Sequence, residues 1–317
     1  MDGLKVKVEF SDIEDAYLKI RKSIRNKKNL YRFEKNYYSN CNILVDKINN
    51  GNYIYSNYHI FTIIEKKMRL IMSSTLEDKI VNHVICNKIL LPLDKYLIDS
   101  NCATRIGRGT SYARKLLDKY LVKIKNKSNT FYILKFDFSK YFYNINHKVL
   151  LKKLSKYLNN EDLLLIKDIL NTTNYDYINN TIDKLRINTF YNKDTGLPIG
   201  NYTSQFLAVF YLNDLDHYIK EKLGCKYYIR YMDDGIIIDS NKERLKDILK
   251  ILETIIKDEY LLEFNNKTKI YKSTEGFTFL GINYKVKNNK IYRKIISKTR
   301  KRLVKKNIKY YLKYEKL

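Results

Sequence analysis

Residues 227–239 read YYIRYMDDGIIID: a β-prone run, two adjacent aspartates and three isoleucines. β-Branched and aromatic side chains on both sides predict two short buried strands. The break between them predicts an antiparallel hairpin with a two-residue turn. In that reading Asp233 and Asp234 form the turn and project, exposed, from the edge of the sheet. An isolated Asp pair is most simply a solvated turn. Two carboxylates fixed side by side by rigid strands, however, repel each other unless they are protonated or bridged by cations.

A third carboxylate stands in a similar setting. FYILKFDF (131–138) is a short β-rich run, bounded by KNKSNT before it and a helix-like stretch after it. Asp137 lies at its end, and if the two strands are neighbours in one sheet, Asp137 and Asp233 converge. Three carboxylates with no Cys or His nearby are hard oxygen ligands, the setting Mg²⁺ or Mn²⁺ prefers. Two such ions about 3.5–4 Å apart activate an attacking hydroxyl and stabilise a leaving phosphate oxygen.

The rest of the chain supplies helices around these strands. TLEDKIVNHVICNKILLPL (75–93) sets Ile80, Val84, Ile85 and Ile89 at helical spacing. GNYTSQFLAVFYLNDLDHYIKEKL (200–223) predicts a long helix closed by Gly224, and NKERLKDILKILETIIKDEY (241–260) predicts another. FTFLGINYKV (277–286) predicts a strand pair, followed by a basic helical segment, while the first 125 residues read as mainly helical. The order strand, helices, hairpin, helix, strand is an α+β fold with antiparallel pairing. With only Pro92 and Pro198 and no Gly/Ser-rich linker, the chain predicts subdomains that share contacts.

Charge narrows the partner. The chain carries a formal +27 over 317 residues, and residues 284–317 hold 14 Lys or Arg against one acid, Glu315. Such a block meets polyanions, either nucleic acid or an anionic membrane. No apolar run reaches the roughly 18 residues of a spanning helix, and the first twenty residues mix acids through their apolar positions, unlike a signal peptide. Cys41, Cys86, Cys102 and Cys225 lie far apart without CxxC spacing, which predicts buried free thiols in a reducing cytoplasm. His59, His83, His147 and His217 form no ligand pair. Nucleic acid is the partner these features favour.

At this point YMDD (231–234) resembles the active-site box of reverse transcriptases. FDFSKYF (136–142) resembles their first aspartate motif, and GLPIGNYTSQFLAVFYLNDLD (196–216) resembles their template- and nucleotide-positioning helix. FLG (279–281) is similar to the strand that grips the primer end. KMRLIMSSTLEDKIV (67–81) and RIGRGTSYA (105–113) look like finger motifs of bacterial retroelement and group II intron enzymes. One tetrapeptide is weak; six motifs in family order are specific.

The resemblance implies a right-hand polymerase: fingers over 1–130, a palm over 131–283 whose antiparallel sheet carries helices on one face, and a short basic thumb over 284–317. It implies RNA-directed DNA synthesis with two Mg²⁺ ions, replaceable by Mn²⁺. Asp137 and Asp233 bind the metals and Asp234 completes the cluster. Phe142 matches an aromatic that excludes a ribose 2′-OH, a case of specificity by clash. Lys67 and Arg69 match finger residues that hold the triphosphate, and Lys267 matches a lysine that protonates departing pyrophosphate. Gly200 and Gln205 belong to the nucleotide-facing motif. The implied partners are an RNA template, nascent DNA, dNTPs, and a small accessory protein or structured non-coding RNA, with no membrane.

The motif at 199–205 departs from the common pattern. Ile199-Gly200 and Ser204-Gln205 stand where Gln-Gly and Ser-Pro are usual. The IGxxxSQ form resembles enzymes of diversity-generating retroelements, in which it accompanies error-prone copying at template adenines, and also some antiphage-defence reverse transcriptases, which imply protein-primed or untemplated synthesis. Gly235, where a bulky apolar residue is commoner, is expected to relax the hairpin. Within 317 residues no room is expected for an RNase H, endonuclease or integrase domain. Two competing classes are a non-catalytic RNA-binding protein, disfavoured by the three intact acids, and an RNA polymerase, disfavoured by Phe142.

Overall fold

The structure, a computed structural model, describes residues 7–24, 27–64, 68–288, 290–297, 301 and 304. The strands are β1 (His59–Ile64), β2 (Met68–Ser73), β3 (Tyr132–Phe136), β4 (Tyr227–Tyr231), β5 (Asp234–Asp239), β6 (Lys269–Lys272), β7 (Phe277–Phe279), β8 (Ile282–Lys287) and β9 (Lys290–Ile295). They are distributed over two compact units, each built from separate stretches of chain. One takes residues 1–98, 139–215 and 255–263; the other takes 99–138, 216–254 and 264–317.

In the first unit β1 and β2 form an antiparallel hairpin, registered from His59 opposite Ser73 to Ile64 opposite Met68. Alternation sends Leu70 and Met72 inward against Tyr58, Ile178, Ile182 and Tyr191. A helix over Leu76–Ile85 follows, started by Thr75, whose hydroxyl accepts from the Asp78 N–H at 3.2 Å. It continues as a wider π-type turn at Cys86–Leu90 and a 3₁₀ turn at Leu91–Tyr96, where Pro92 has no N–H for an α-helical bond. The helical reading of 75–93 therefore holds, with a change of pitch. The long helix expected over 200–223 is broken at Leu212 into Tyr202–Tyr211 and Asn213–His217, and runs on as a π-type turn to Lys222. Gly224, at φ +62°, stops it.

The second unit holds a four-stranded antiparallel sheet in the order β4-β5-β3-β6. β5 pairs with β4 from Tyr227 opposite Ile238 to Tyr231 opposite Asp234, and β3 pairs with β5 from Tyr132 opposite Asp239 to Phe136 opposite Gly235. The helix Thr110–Lys125 turns Ala113, Leu117, Leu121 and Ile124 onto Ile133, Ile229, Ile236 and Ile238 of the sheet. Each such leucine or isoleucine, fully buried, contributes about 1.5–3 kcal/mol. A second sheet, β7-β8-β9, adds Phe277, Phe279, Tyr284 and Val286 to the same core. On the opposite sheet face Phe136 stacks on Tyr228 at 6.4 Å and tilts against Phe264 at 5.3 Å.

Two segments differ from the sequence reading. The mainly helical N-terminal region contains the β1–β2 hairpin, which buries Leu70 and Met72 of β2 on one face. Of the segment after 286, expected to be helical, Lys290–Ile295 forms β9, which pairs with β8 along its length, while Ser297, Lys301 and Val304 beyond it are helical. The larger share of the basic block, residues 298–300, 302–303 and 305–317, lies outside the described residues.

Candidate active site

The β4–β5 register moves the turn by one residue from its expected place. Tyr231 and Asp234 are the last paired residues, so Met232 and Asp233 make the turn and Asp234 is the first residue of β5. Met232 has φ +57° and Asp233 does not share that conformation. Both aspartates are half-buried rather than exposed.

The two acids consequently take different partners. Asp233 meets Asp137, which follows the end of β3, closely enough that the negative charge of Asp137 disfavours ionisation of Asp233. Asp234 pairs with Lys135, its Oδ1 accepting from Nζ at 2.6 Å. Lys135 lies two residues before Asp137 on the same face of β3, diagonally across the ladder from Asp234. Asp137 is seated by the segment after Phe264: Asn265 Nδ2 donates to its Oδ2 at 2.6 Å, and the Asn265 N–H donates to its backbone carbonyl at 2.8 Å. Lys267 is exposed in the same segment, and its charge lowers the Asp234 carboxyl. The three acids feel one another's charge, and Asp234 alone of them is ion-paired with Lys135. Among the described residues no group of three or more His, Cys, Asp or Glu is placed to hold a metal ion.

Burial, then the charge of Asp137, pushes the Asp233 carboxyl up to about 7. Burial pushes Asp234 up to about 6 even with Lys135 pulling it down. An acid near 7 beside a second carboxylate is a site short of positive charge. Oxygen donors without thiol or imidazole fit a hard divalent cation, so Asp137 and Asp233 are the residues able to hold one.

The remaining expected site residues that the structure describes lie in the first unit. Arg69 is exposed on β2, opposite Ile63. Phe142 is half-buried, edge-on to Tyr141 at 5.9 Å, and its carbonyl accepts from the Leu197 N–H at 2.7 Å. Gln205 is exposed on the helix Tyr202–Tyr211. Gly200 has φ +134°, and a Cβ there would lie 2.5 Å from the Met72 carbonyl oxygen. The Met72 N–H donates to the Ile199 carbonyl at 2.7 Å, so Ile199-Gly200 fastens the β1–β2 hairpin by its backbone. Lys67 lies outside the described residues.

Gly235 corrects another expectation. It does not relax the hairpin; it makes room. A Cβ on Gly235 would come within 2.2 Å of the Phe136 ring, which is itself fully buried. Lys135 and Asn265 were not foreseen as site residues. Strand alternation places Lys135 on the face of Asp137, a signal present in FYILKFDF; nothing local marks Asn265.

A family model described as reverse transcriptase (RNA-dependent DNA polymerase) matches residues 48–284. No curated protein matches the sequence. Among solved structures, telomerase from Candida albicans in complex with a TWJ fragment of telomeric RNA is similar over 76% of this chain and 45% of that chain, with TM-score 0.55 and 15% identity. Apo telomerase from Candida tropicalis, truncated from the C-terminal domain, is similar over 76% of this chain and 55% of that one, with TM-score 0.54 and 14% identity. The chain spans about half the length of these structures, and at such identity the likeness is one of fold, that of right-hand polymerases. The matched region takes in both sheet strands that bring Asp137 and Asp233 together and the hairpin fastened by Gly200, and by that match the chain belongs to the reverse transcriptase (RNA-dependent DNA polymerase) family.

Proposed function

We infer that the chain is an RNA-directed DNA polymerase, making cDNA by nucleotidyl transfer at the Asp137–Asp233 end of its central sheet. The observation that carries this reading is the meeting of those two acids, from distant parts of the chain, inside the region that matches the family. Asp137 and Asp233 hold two Mg²⁺ ions, with Mn²⁺ able to substitute, and Asp234 completes the cluster from its pair with Lys135. When bound, such ions supply a more acidic attacking hydroxyl and neutralise charge on the leaving phosphate. Lys267 gives a proton to departing pyrophosphate. Phe142 turns away a 2′-OH by bulk. Lys67 and Arg69 hold the triphosphate, and Gly200 and Gln205 shape the nucleotide-facing motif. In functional terms residues 1–130 serve as fingers, 131–283 as palm and 284–317 as thumb, whose basic side chains take the phosphates of an RNA–DNA duplex.

The test is primer extension on an RNA template with Mg²⁺ and dNTPs. Wild-type protein extends the primer and Asp233→Asn abolishes extension; extension that survives the substitution overturns the reading. Replacing dNTPs by rNTPs stops extension, and Phe142→Ala relieves that block.

The setting we propose is a diversity-generating retroelement in a bacterial cytoplasm, supported by Ile199-Gly200 and Ser204-Gln205 and by four free, buried cysteines. No helix among the described residues is long and apolar enough to cross a membrane. The same IGxxxSQ form favours one second reading, an antiphage-defence enzyme with protein-primed or untemplated synthesis. A template/variable repeat pair with a small accessory gene beside the coding sequence supports the first. Added nucleotide mass on the protein after incubation with dNTPs supports the second.

A further inference from the structure

The turn that carries Asp233 is gripped from below by a buried ion pair. Arg230 and Asp216 are both fully buried, at 0% side-chain exposure. Arg230 Nε and Nη2 donate to the two Asp216 oxygens at 2.7 and 2.6 Å, the planar fork that a guanidinium provides and an ammonium does not. Its Nη1 donates to the backbone carbonyl of Met232 at 2.7 Å. Asp216 is fixed in turn by the Tyr228 hydroxyl at 2.6 Å and Asn101 Nδ2 at 3.1 Å. The Arg230 backbone is tied down as well: its N–H donates to the Ser100 carbonyl at 3.0 Å and its carbonyl accepts from the Cys102 N–H at 2.9 Å.

Burying two charges is a poor way to stabilise a core, because lost hydration offsets their attraction and apolar residues of like size do as well. The third contact gives this pair a purpose. Met232 sits at φ +57°, a left-handed conformation in which a non-glycine residue is strained unless its surroundings hold it. It is the first of the two turn residues, the position that glycine usually takes in a II′ hairpin. The Arg230 bond to the Met232 carbonyl lies one residue before Asp233.

We propose that Arg230, oriented by Asp216, is a positioning residue that clamps the Met232 carbonyl, keeps the turn left-handed and so sets where the Asp233 carboxylate meets Asp137. This rests on the reading of Asp137 and Asp233 as the metal-holding acids. Lysine at 230 keeps the charge and loses the fork.

The experiment uses the full chain and Mn²⁺ alone as probe, reading bound ion by electron paramagnetic resonance beside primer extension. The signal counted is the part that Asp233→Asn removes. Arg230→Lys, shown to be folded by its melting transition, weakens that binding by about 10–100-fold, the usual effect of a group that orients a metal ligand. In extension it lowers kcat and leaves the dNTP KM near wild type. Met232→Gly added to Arg230→Lys recovers most of the lost Mn²⁺ affinity and kcat without recovering the melting temperature, because glycine takes the left-handed turn unaided. Wild-type Mn²⁺ affinity in folded Arg230→Lys overturns the clamp, as does a loss that Met232→Gly fails to relieve. Should Arg230→Lys not fold, Asp216→Asn, which keeps an oxygen acceptor, carries the same expectations. Failure of the metal reading looks different: Asp233→Asn then binds Mn²⁺ and extends primers like wild type, and the clamp loses its purpose with it.

Discussion

At the residue scale the site is governed by the burial of its acids beside one another. Asp233 is moved from its ordinary value of 3.8 to about 7. Between those values the folded, metal-free protein therefore binds more protons than the unfolded chain. The stability tied to this group is complete below the lower value and is lost as pH rises through the upper one. The melting temperature of metal-free protein is expected to fall from pH 5 to pH 8, with a shallower fall in Asp233→Asn; identical slopes in a differential scanning series would refute it. Mg²⁺ at pH 8 is expected to restore the wild type and to leave the variant unmoved. Gly235 belongs to the same scale. Gly235→Ala drives a methyl into the buried Phe136 ring and is expected to cost about 1–3 kcal/mol in a urea unfolding series, as overpacked cores do. A sequence shows that this glycine is small, but not which ring needs the space.

At the scale of elements, backbone contacts fasten a hairpin that side chains also pack. The Ile199 carbonyl accepts from the Met72 N–H, and Gly200 passes so close over the Met72 carbonyl that no side chain fits. Gly200→Ala also forces alanine into a positive-φ conformation, at a cost of about 1–3 kcal/mol. Hydrogen exchange is the measurement suited to it: the Met72 amide and its neighbours in β2 should lose protection while β3 and β5 keep theirs. Protection unchanged in β2 means the motif does not fasten the hairpin. The helices around it were legible because apolar spacing and caps are local, as in the stretch started by Thr75. The β1–β2 hairpin was less so, because HIFTII and MRLIMS sit in a basic region dominated by helical patterns. β9 was hidden by its exposure: a charged strand with scarcely a buried side chain reads no differently from a charged helix until its partner β8 is known.

At the scale of the whole molecule the net charge of +27 is the dominant fact. If the chain binds a primed RNA template as proposed, counterion release is expected to make that affinity fall steeply with salt, by about 10³-fold or more between 50 and 200 mM for six or more neutralised phosphates. Filter binding across that range tests this, and a flat dependence would mean that the basic surface does not meet the duplex. Residue identity and spacing along the chain were enough to mark the family: acids at strand ends, a basic block, and motifs in family order. Tertiary structure decided which acid faces which partner. Side chains on a strand alternate with period two, so the one-residue shift of the turn to Met232-Asp233 sent Asp233 to Asp137 and Asp234 to Lys135. That register is set by partners far apart in sequence, the Phe136 ring over Gly235 and the Asp216–Arg230 fork under Met232, and no local pattern announces them.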